Sequence, residues 1–96
     1  MYEIQGVLHD GRKVELDIAP DQSIAEIEVE FREDQVPRAV LKAIEAKLPG
    51  YRVSFIEASH TAEFKVVGYE FVGTLGGTEM DIEVSADGRW IEVADR

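Results

Sequence analysis

Residues 35–50 read QVPRAVLKAIEAKLPG, and this stretch carries the one clear helical pattern in the chain. Its apolar residues recur every four positions, so they share one side of a helix. They are Val36, Val40, Ile44 and Leu48. Pro37 suits a first helical position, and Pro49-Gly50 ends the helix. The stretch predicts a helix of about 12 residues, roughly 18 Å long, which needs a surface to cover its apolar side.

The segments on both sides alternate apolar and polar residues, the pattern of half-buried strands. Three strands are predicted before the helix and four after it. Asp-Gly pairs at 10–11 and 87–88 predict hairpin turns, and Gly76-Gly77 predicts another. Residues 57–63 are polar and predict a loop. At Gly68 the alternation of apolar and polar residues shifts by one position, so we expect a bulge there.

The two outer parts of the chain resemble each other. Residues 2–8, YEIQGVL, match residues 69–75, YEFVGTL, and residues 15–18 match residues 81–84. The sequence thus predicts a partly duplicated three-strand meander, with the helix and one strand between the copies. The expected fold class is α+β, one helix across a single curved antiparallel sheet.

Composition limits the classes of partner. The chain has 96 residues, no cysteine, and 20 acidic against 10 basic residues, for a net charge of −10. We expect one domain, 1–96, with a truncated first repeat at 1–34 and the helix plus four strands at 35–96. Negative charge argues against nucleic acid and anionic membranes, since their phosphates would repel the chain. No apolar run reaches membrane-spanning length.

The helix motif resembles the PepSY-like, β-lactamase-inhibitor-protein-like domains. The resemblance rests on Val36-Pro37, Ala39-Val40, Ala43-Ile44 and Leu48-Pro49-Gly50, followed by Tyr69-Glu70 and Asp87-Gly88. It implies a non-enzymatic module that is inhibitor-like or accessory, with the exposed sheet face holding the target. It also implies a periplasmic or exported protein. Residues 1–5 lack the basic and apolar regions of a signal peptide, so a cytoplasmic location is the alternative.

One face of the predicted sheet is acidic. By strand parity, eight carboxylates point away from the helix: Glu15, Asp17, Glu26, Glu28, Glu30, Asp81, Glu83 and Glu92. The same parity carries four apolar residues: Val7, Ile56, Val72 and Trp90. An exposed tryptophan near aliphatic residues, with a polar rim, is typical of an interface anchor. A solvated surface that discourages edge pairing is the competing interpretation.

Other chemistries find little support in the residues. His9 and His60 fall in predicted polar segments and assemble no nucleophile, base and orienting group. The Asp-Gly pairs lack the alternating ligands of a calcium loop, so no metal site and no cofactor are expected. We therefore expect a non-catalytic protein-binding module with a basic protein partner, monomeric or weakly dimeric. A self-associating structural module is the alternative, and a hydrolase ranks below both.

Overall fold

The computed structural model describes residues 1–94, and Asp95 and Arg96, the last two residues of the predicted domain, lie outside that range. One α-helix, α1, spans Arg38–Lys47 and follows a 3₁₀ turn at Glu33–Gln35. The apolar side of α1 is buried, with Val40 fully inaccessible. Pro37 is the N-cap residue and Leu48 the C-cap residue, so the helix is slightly shorter than the predicted one.

Eight strands of the described chain form a single antiparallel sheet in the order β1-β2-β3-β4-β5-β7-β8, with β6 paired to β5. They are β1 (Tyr2–Val7), β2 (Lys13–Ile18), β3 (Ile24–Glu30), β4 (Arg52–His60), β5 (Val66–Leu75), β6 (Thr78–Glu79), β7 (Ile82–Ser85) and β8 (Ile91–Val93). The predicted α+β class, a largely antiparallel sheet with one helix, is confirmed. The short β6 is an additional strand that alternation over two residues cannot reveal.

The core lies between α1 and the central strands. Val40 and Ile44 pack with Ala58 of β4, Phe71 of β5 and Ile82 of β7. Because side chains alternate across a strand, the residues between these core positions face the opposite side of the sheet. The helix thus covers one face, and the other face is free for the site described below.

Two Asp-Gly turns form as predicted. In the first, the Leu8 amide donates to the Arg12 carbonyl at 2.8 Å, and in the second the Ser85 amide donates to the Trp90 carbonyl at 2.9 Å. Gly11 and Gly88 have φ of 91° and 77°, a left-handed conformation that glycine adopts without strain.

The sequence wrongly predicts which side chains face the core in the second half of β4. The register shifts between Val53 and Phe55, so one residue is inserted at Ser54. As a result Ile56, predicted on the outer face, is only 3% exposed and belongs to the core. Phe55 pairs with Val72 on the outer face.

The predicted loop at 57–63 is also wrong, because β4 continues through Glu57 to His60. His60, expected on the surface, is 3% exposed. Its ring stacks on Phe64 at a centroid distance of 4.3 Å, and its Nδ1 lies 3.1 Å from the carbonyl oxygen of Ala58. A carbonyl oxygen only accepts, so Nδ1 carries the hydrogen and donates. These contacts give Nδ1 of the buried imidazole a hydrogen-bond acceptor and its ring an aromatic neighbour.

The predicted bulge does occur beside Gly68, where the pairing register of β4 and β5 shifts. Ser59 pairs with Gly68, whereas the next residue of β4, His60, pairs with Val66. Val67 is therefore the inserted residue of the bulge, and its side chain is half exposed.

Candidate binding face

The face of the sheet opposite α1 carries a dense set of carboxylates, here called the acidic face. Cross-strand register places them in three neighbouring rows. They are Glu3, Asp17 and Glu26 in one row, Glu15 and Glu28 in the next, and Glu30, Glu57, Glu70, Glu83 and Glu92 in the third.

The third row, here called the glutamate row, crosses five adjacent strands without interruption. Glu30 of β3 pairs with Glu57 of β4, and Glu57 pairs with Glu70 of β5. Glu70 then pairs with Glu83 of β7, and Glu83 with Glu92 of β8. Like charges directly opposite one another destabilise a sheet, so this row opposes folding unless protons or a cationic partner neutralise it.

The most crowded point lies at Glu28, where two triads share a residue. One carboxylate oxygen each from Glu15, Glu28 and Glu57 lie within 4.8 Å of one another. Asp17, Glu26 and Glu28 form a second triad with the same spacing. Oxygens this close can converge on one hard cation or on one cationic side chain.

The crowding raises several pKa values. Burial, a hydrogen bond with Glu26 and the charge of Glu57 raise the pKa of Glu28 to about 8. Burial and the charge of Glu15 raise the pKa of Glu57 above its ordinary value. Burial and the charge of Glu83 do the same for the pKa of Glu70. With a pKa of about 8, Glu28 retains a proton near neutral pH.

The ion pairs of the described residues lie away from the acidic face. Within residues 1–94, the ion pairs join Arg12, Arg32 and Arg89 to the turn aspartates Asp10, Asp34 and Asp87. On the acidic face, Glu30 accepts a hydrogen bond from the backbone amide of Lys13 at 2.9 Å. Gln5 donates its side-chain amide to Glu3 at 2.9 Å and to Glu15 at 3.3 Å. These ion pairs bring no cation to the glutamate row, and Lys13, on the same face of β2, lies beside Glu30 at one end of that row.

A hollow of about 300 Å³ opens on the acidic face where Gly68 has no side chain. Trp90 and Val67 supply its apolar walls, and Glu70 and Glu83 supply carboxylates. Trp90 is 54% exposed and immediately precedes β8. Two hydrogen bonds with Ser85 hold its backbone: the Trp90 amide donates to Ser85 Oγ at 3.0 Å, and the Trp90 carbonyl accepts from the Ser85 amide at 2.9 Å. An exposed aromatic ring beside carboxylates fits the side chain of arginine or lysine.

The residues selected from the sequence fall into three groups. The structure brings Glu15, Asp17, Glu28, Glu83 and Glu92 together on the acidic face. Trp90 and Val72 also lie on that side, Trp90 in the wall of the hollow and Val72 opposite Phe55. The other three residues lie apart from this cluster. Val7 is 69% exposed at the far end of β1, and Asp81 is half-buried just before β7. Ile56 is in the core.

Sequence reasoning missed Glu57, Glu70 and the hollow. Glu57 was hidden because its segment was assigned to a loop. The alternation of Tyr69, Glu70 and Phe71 already placed Glu70 outward and could have identified it. The hollow depends on Val67 being inserted opposite β4, a tertiary feature.

The fold and face define an α+β protein with one helix and an acidic antiparallel sheet. Comparison with known proteins finds no family model, no curated protein and no solved structure that matches the chain. No helix between residues 1 and 94 is long and apolar enough to cross a membrane.

Proposed function

We propose that the protein is a non-catalytic binding module whose acidic face docks a basic protein partner. In this proposal an arginine or lysine of the partner enters the hollow at Gly68, between Trp90 and the carboxylates of Glu70 and Glu83. The observation that carries it is the glutamate row, which ends beside an exposed tryptophan. Further basic side chains would lie along the row.

The energetics favour such a partner. Five glutamates in direct cross-strand contact repel one another. A basic surface removes that repulsion when it binds, and it gains charge-assisted hydrogen bonds. Long-range attraction to a chain of net charge −10 also raises the association rate. The surface is a continuous hydrogen-bonded sheet, so docking requires little ordering of the backbone.

A non-catalytic role fits the placement of the histidines. His60 is buried and uses Nδ1 within the fold, and His9 is exposed at the first hairpin turn. Their positions on separate elements do not assemble a base with a nucleophile. We therefore assign the acidic face to binding, in an inhibitor-like or accessory module.

We also propose that the chain is a PepSY-like domain with a partly duplicated meander. The support is a shared register in its two halves. Tyr2 pairs with Ile18 and Ile4 with Leu16 in the first half. In the second half, the matching residues Tyr69 and Phe71 pair with Val84 and Ile82.

The binding proposal is tested with a hexa-arginine peptide as the basic probe. The chain contains a single tryptophan, so intrinsic fluorescence reports directly on the hollow. We expect the peptide to change Trp90 emission, with an affinity that falls as NaCl is added. Trp90→Ala, followed by calorimetry, should weaken binding by about 2 kcal/mol or more without unfolding the domain.

A matched pair of double variants separates docking at the acidic face from general attraction to a negative protein. Glu70→Gln with Glu83→Gln removes two charges at the hollow, and Glu45→Gln with Glu63→Gln removes two at exposed positions off the acidic face. We expect the first pair to weaken peptide binding about tenfold and the second less than about twofold. Equal losses in both pairs would overturn the proposal.

A further inference from the structure

The backbone of strand β1 forms an open edge of the sheet, and of its side chains only Glu3 is a carboxylate of the acidic face. All six of its residues are exposed, and within the described chain its strand partner is β2 alone. The Leu8 amide bonds to the Arg12 carbonyl, so the alternating ladder directs the backbone groups of Gly6, Ile4 and Tyr2 toward β2. The backbone N–H and C=O of Glu3, Gln5 and Val7 then point outward.

This edge lacks the usual protection against pairing. It contains no proline and no lysine, and its register with β2 shows no bulge. By contrast, the opposite edge strand, β8, has three residues. The six outward-facing backbone groups of β1 offer a ready template for another strand.

We propose that β1 pairs antiparallel with β1 of a second copy of this chain, with Ile4 on the two-fold axis. In this register Glu3 faces Gln5 of the second copy, Tyr2 faces Gly6, and Ile4 faces Ile4. The two sheets join edge to edge, and both helices lie on the same side. The proposal is independent of partner binding at the acidic face.

Charge complementarity selects this register. Sliding one copy by two residues toward the N-terminus sets Glu3 against Glu3, a like-charge pair. Sliding it the other way pairs residues 3–7 instead of residues 2–6, so Glu3 faces Val7, Gln5 faces Gln5, and no carboxylate faces an amide. The Ile4-centred register sets each carboxylate against an amide, and the chain itself shows that contact, Gln5 Nε2 to Glu3 Oε1 at 2.9 Å.

The apolar side chains of β1 support the same arrangement. Tyr2 is 58% exposed and Ile4 47% exposed on the helix side of the sheet. Their counterparts in the second meander, Tyr69 and Phe71, are buried beneath α1. In the pair of copies, each Tyr2 ring covers Gly6 of the other, an arrangement that compensates for the missing glycine side chain. Each Ile4 is covered by the other Ile4.

The interface is small. One strand pair with these side chains lies below the roughly 1,200 Å² of a standard interface, so the dimer is weak and concentration-dependent. Since each chain carries a net charge of −10, added NaCl should strengthen it. Binding of a basic partner has the opposite salt dependence, so the failure of either proposal is distinguishable from the failure of the other.

A disulfide trap tests the register directly. Ile4 sits at a non-hydrogen-bonded antiparallel position across the axis, where Cβ atoms come close enough for a disulfide. The chain has no cysteine of its own, so Ile4→Cys introduces a single thiol. Val93→Cys is the matched control, since Val93 is 53% exposed on the other edge strand. We expect oxidation to cross-link Ile4→Cys at least about tenfold faster than Val93→Cys.

Sedimentation velocity of the unmodified chain provides the second readout. We expect the dimer fraction to rise between about 5 and 500 μM and to rise further with NaCl. Gln5→Pro removes an outward N–H without touching the bonds to β2, so it should abolish the dimer and leave the circular dichroism spectrum unchanged. A monomer at every concentration, or equal cross-linking of the two cysteine variants, would overturn the proposal.

Discussion

Glu57 and Glu70 stand directly opposite each other on the two central strands, and burial raises the pKa of both. Each also has a second glutamate on its other side, Glu30 beside Glu57 and Glu83 beside Glu70. The two central strands therefore carry adjacent like charges, and the repulsion between these charges opposes folding. Such a surface is suited to binding cations and less suited to stability.

The first prediction concerns that repulsion. Glu57→Gln should raise the free energy of unfolding by about 0.2–1 kcal/mol at pH 8, because it replaces a like-charge cross-strand pair by an amide–carboxylate pair. Urea denaturation measures the change. Glu45→Gln, on the exposed side of α1, is the control and should stay within about 0.5 kcal/mol of the parent. Destabilisation by Glu57→Gln would contradict the cross-strand geometry.

The second prediction is a stability that falls toward alkaline pH. Glu28 faces Glu15 and Asp17 of β2, Glu26 of its own strand and Glu57 of β4. Its pKa is raised from 4.5 to about 8 in the folded chain. Between these values the folded state holds a proton that the unfolded state releases, so the free energy of unfolding decreases as pH rises.

Chemical denaturation at pH 6, 7, 8 and 9 tests the slope. Glu28→Gln, which stays neutral, should flatten it and should be the more stable protein at about pH 9. Asp21→Asn is a suitable control, since a hydrogen bond from Ser23 lowers the pKa of Asp21 and its titration lies below this window. A slope that survives in Glu28→Gln would assign the effect to other groups.

The third prediction concerns salt. Ten carboxylates lie on the acidic face, and the ion pairs of the described residues use loop aspartates instead. Screening should therefore raise the melting temperature as NaCl increases from about 10 mM to 500 mM. The Glu70→Gln, Glu83→Gln double variant should respond less than the parent. A melting temperature unaffected by salt would argue that the carboxylates are already neutralised.

The fourth prediction compares Gly6 and Gly73, which occupy matching positions of the two similar stretches, residues 2–8 and 69–75. A Cβ on Gly73 would lie 2.2 Å from the Arg52 carbonyl oxygen and 2.7 Å from the Tyr51 ring. A Cβ on Gly6 would make one ordinary contact, with Val14 at 3.5 Å. Gly73→Ala should destabilise the fold by about 3 kcal/mol or more, and Gly6→Ala by less than about 1 kcal/mol.

Thermal and urea unfolding of both alanine variants test this comparison. The Tyr51 hydroxyl donates to the Met80 carbonyl at 2.6 Å, so displacement of its ring would also break that bond. Equal tolerance at the two positions would mean that Tyr51 does not pack on the strand as found here.

Local patterns predicted much of this architecture. Four-residue spacing from Val36 to Leu48 predicted the helix, and alternation in β2 and β3 placed Glu15, Asp17 and Glu28 on one face. Side chains repeat every two residues along a strand and about every turn along a helix, so a short stretch of sequence is enough to identify these elements. The Asp-Gly turns were predictable for the same reason, since turn chemistry is local.

The sequence by itself determined the helix, the turns and the placement of carboxylates at alternate positions of the strands, on one face of the sheet. The tertiary structure decided which carboxylates meet. Insertions at Ser54 and Val67 set the register between β4 and β5. As a result, Ile56 points into the core, and Glu57 points outward, opposite Glu70. A bulge depends on the packing of both strands against α1, and a one-residue shift reverses every side chain beyond it. The glutamate row and the Trp90 hollow arise from these long-range alignments.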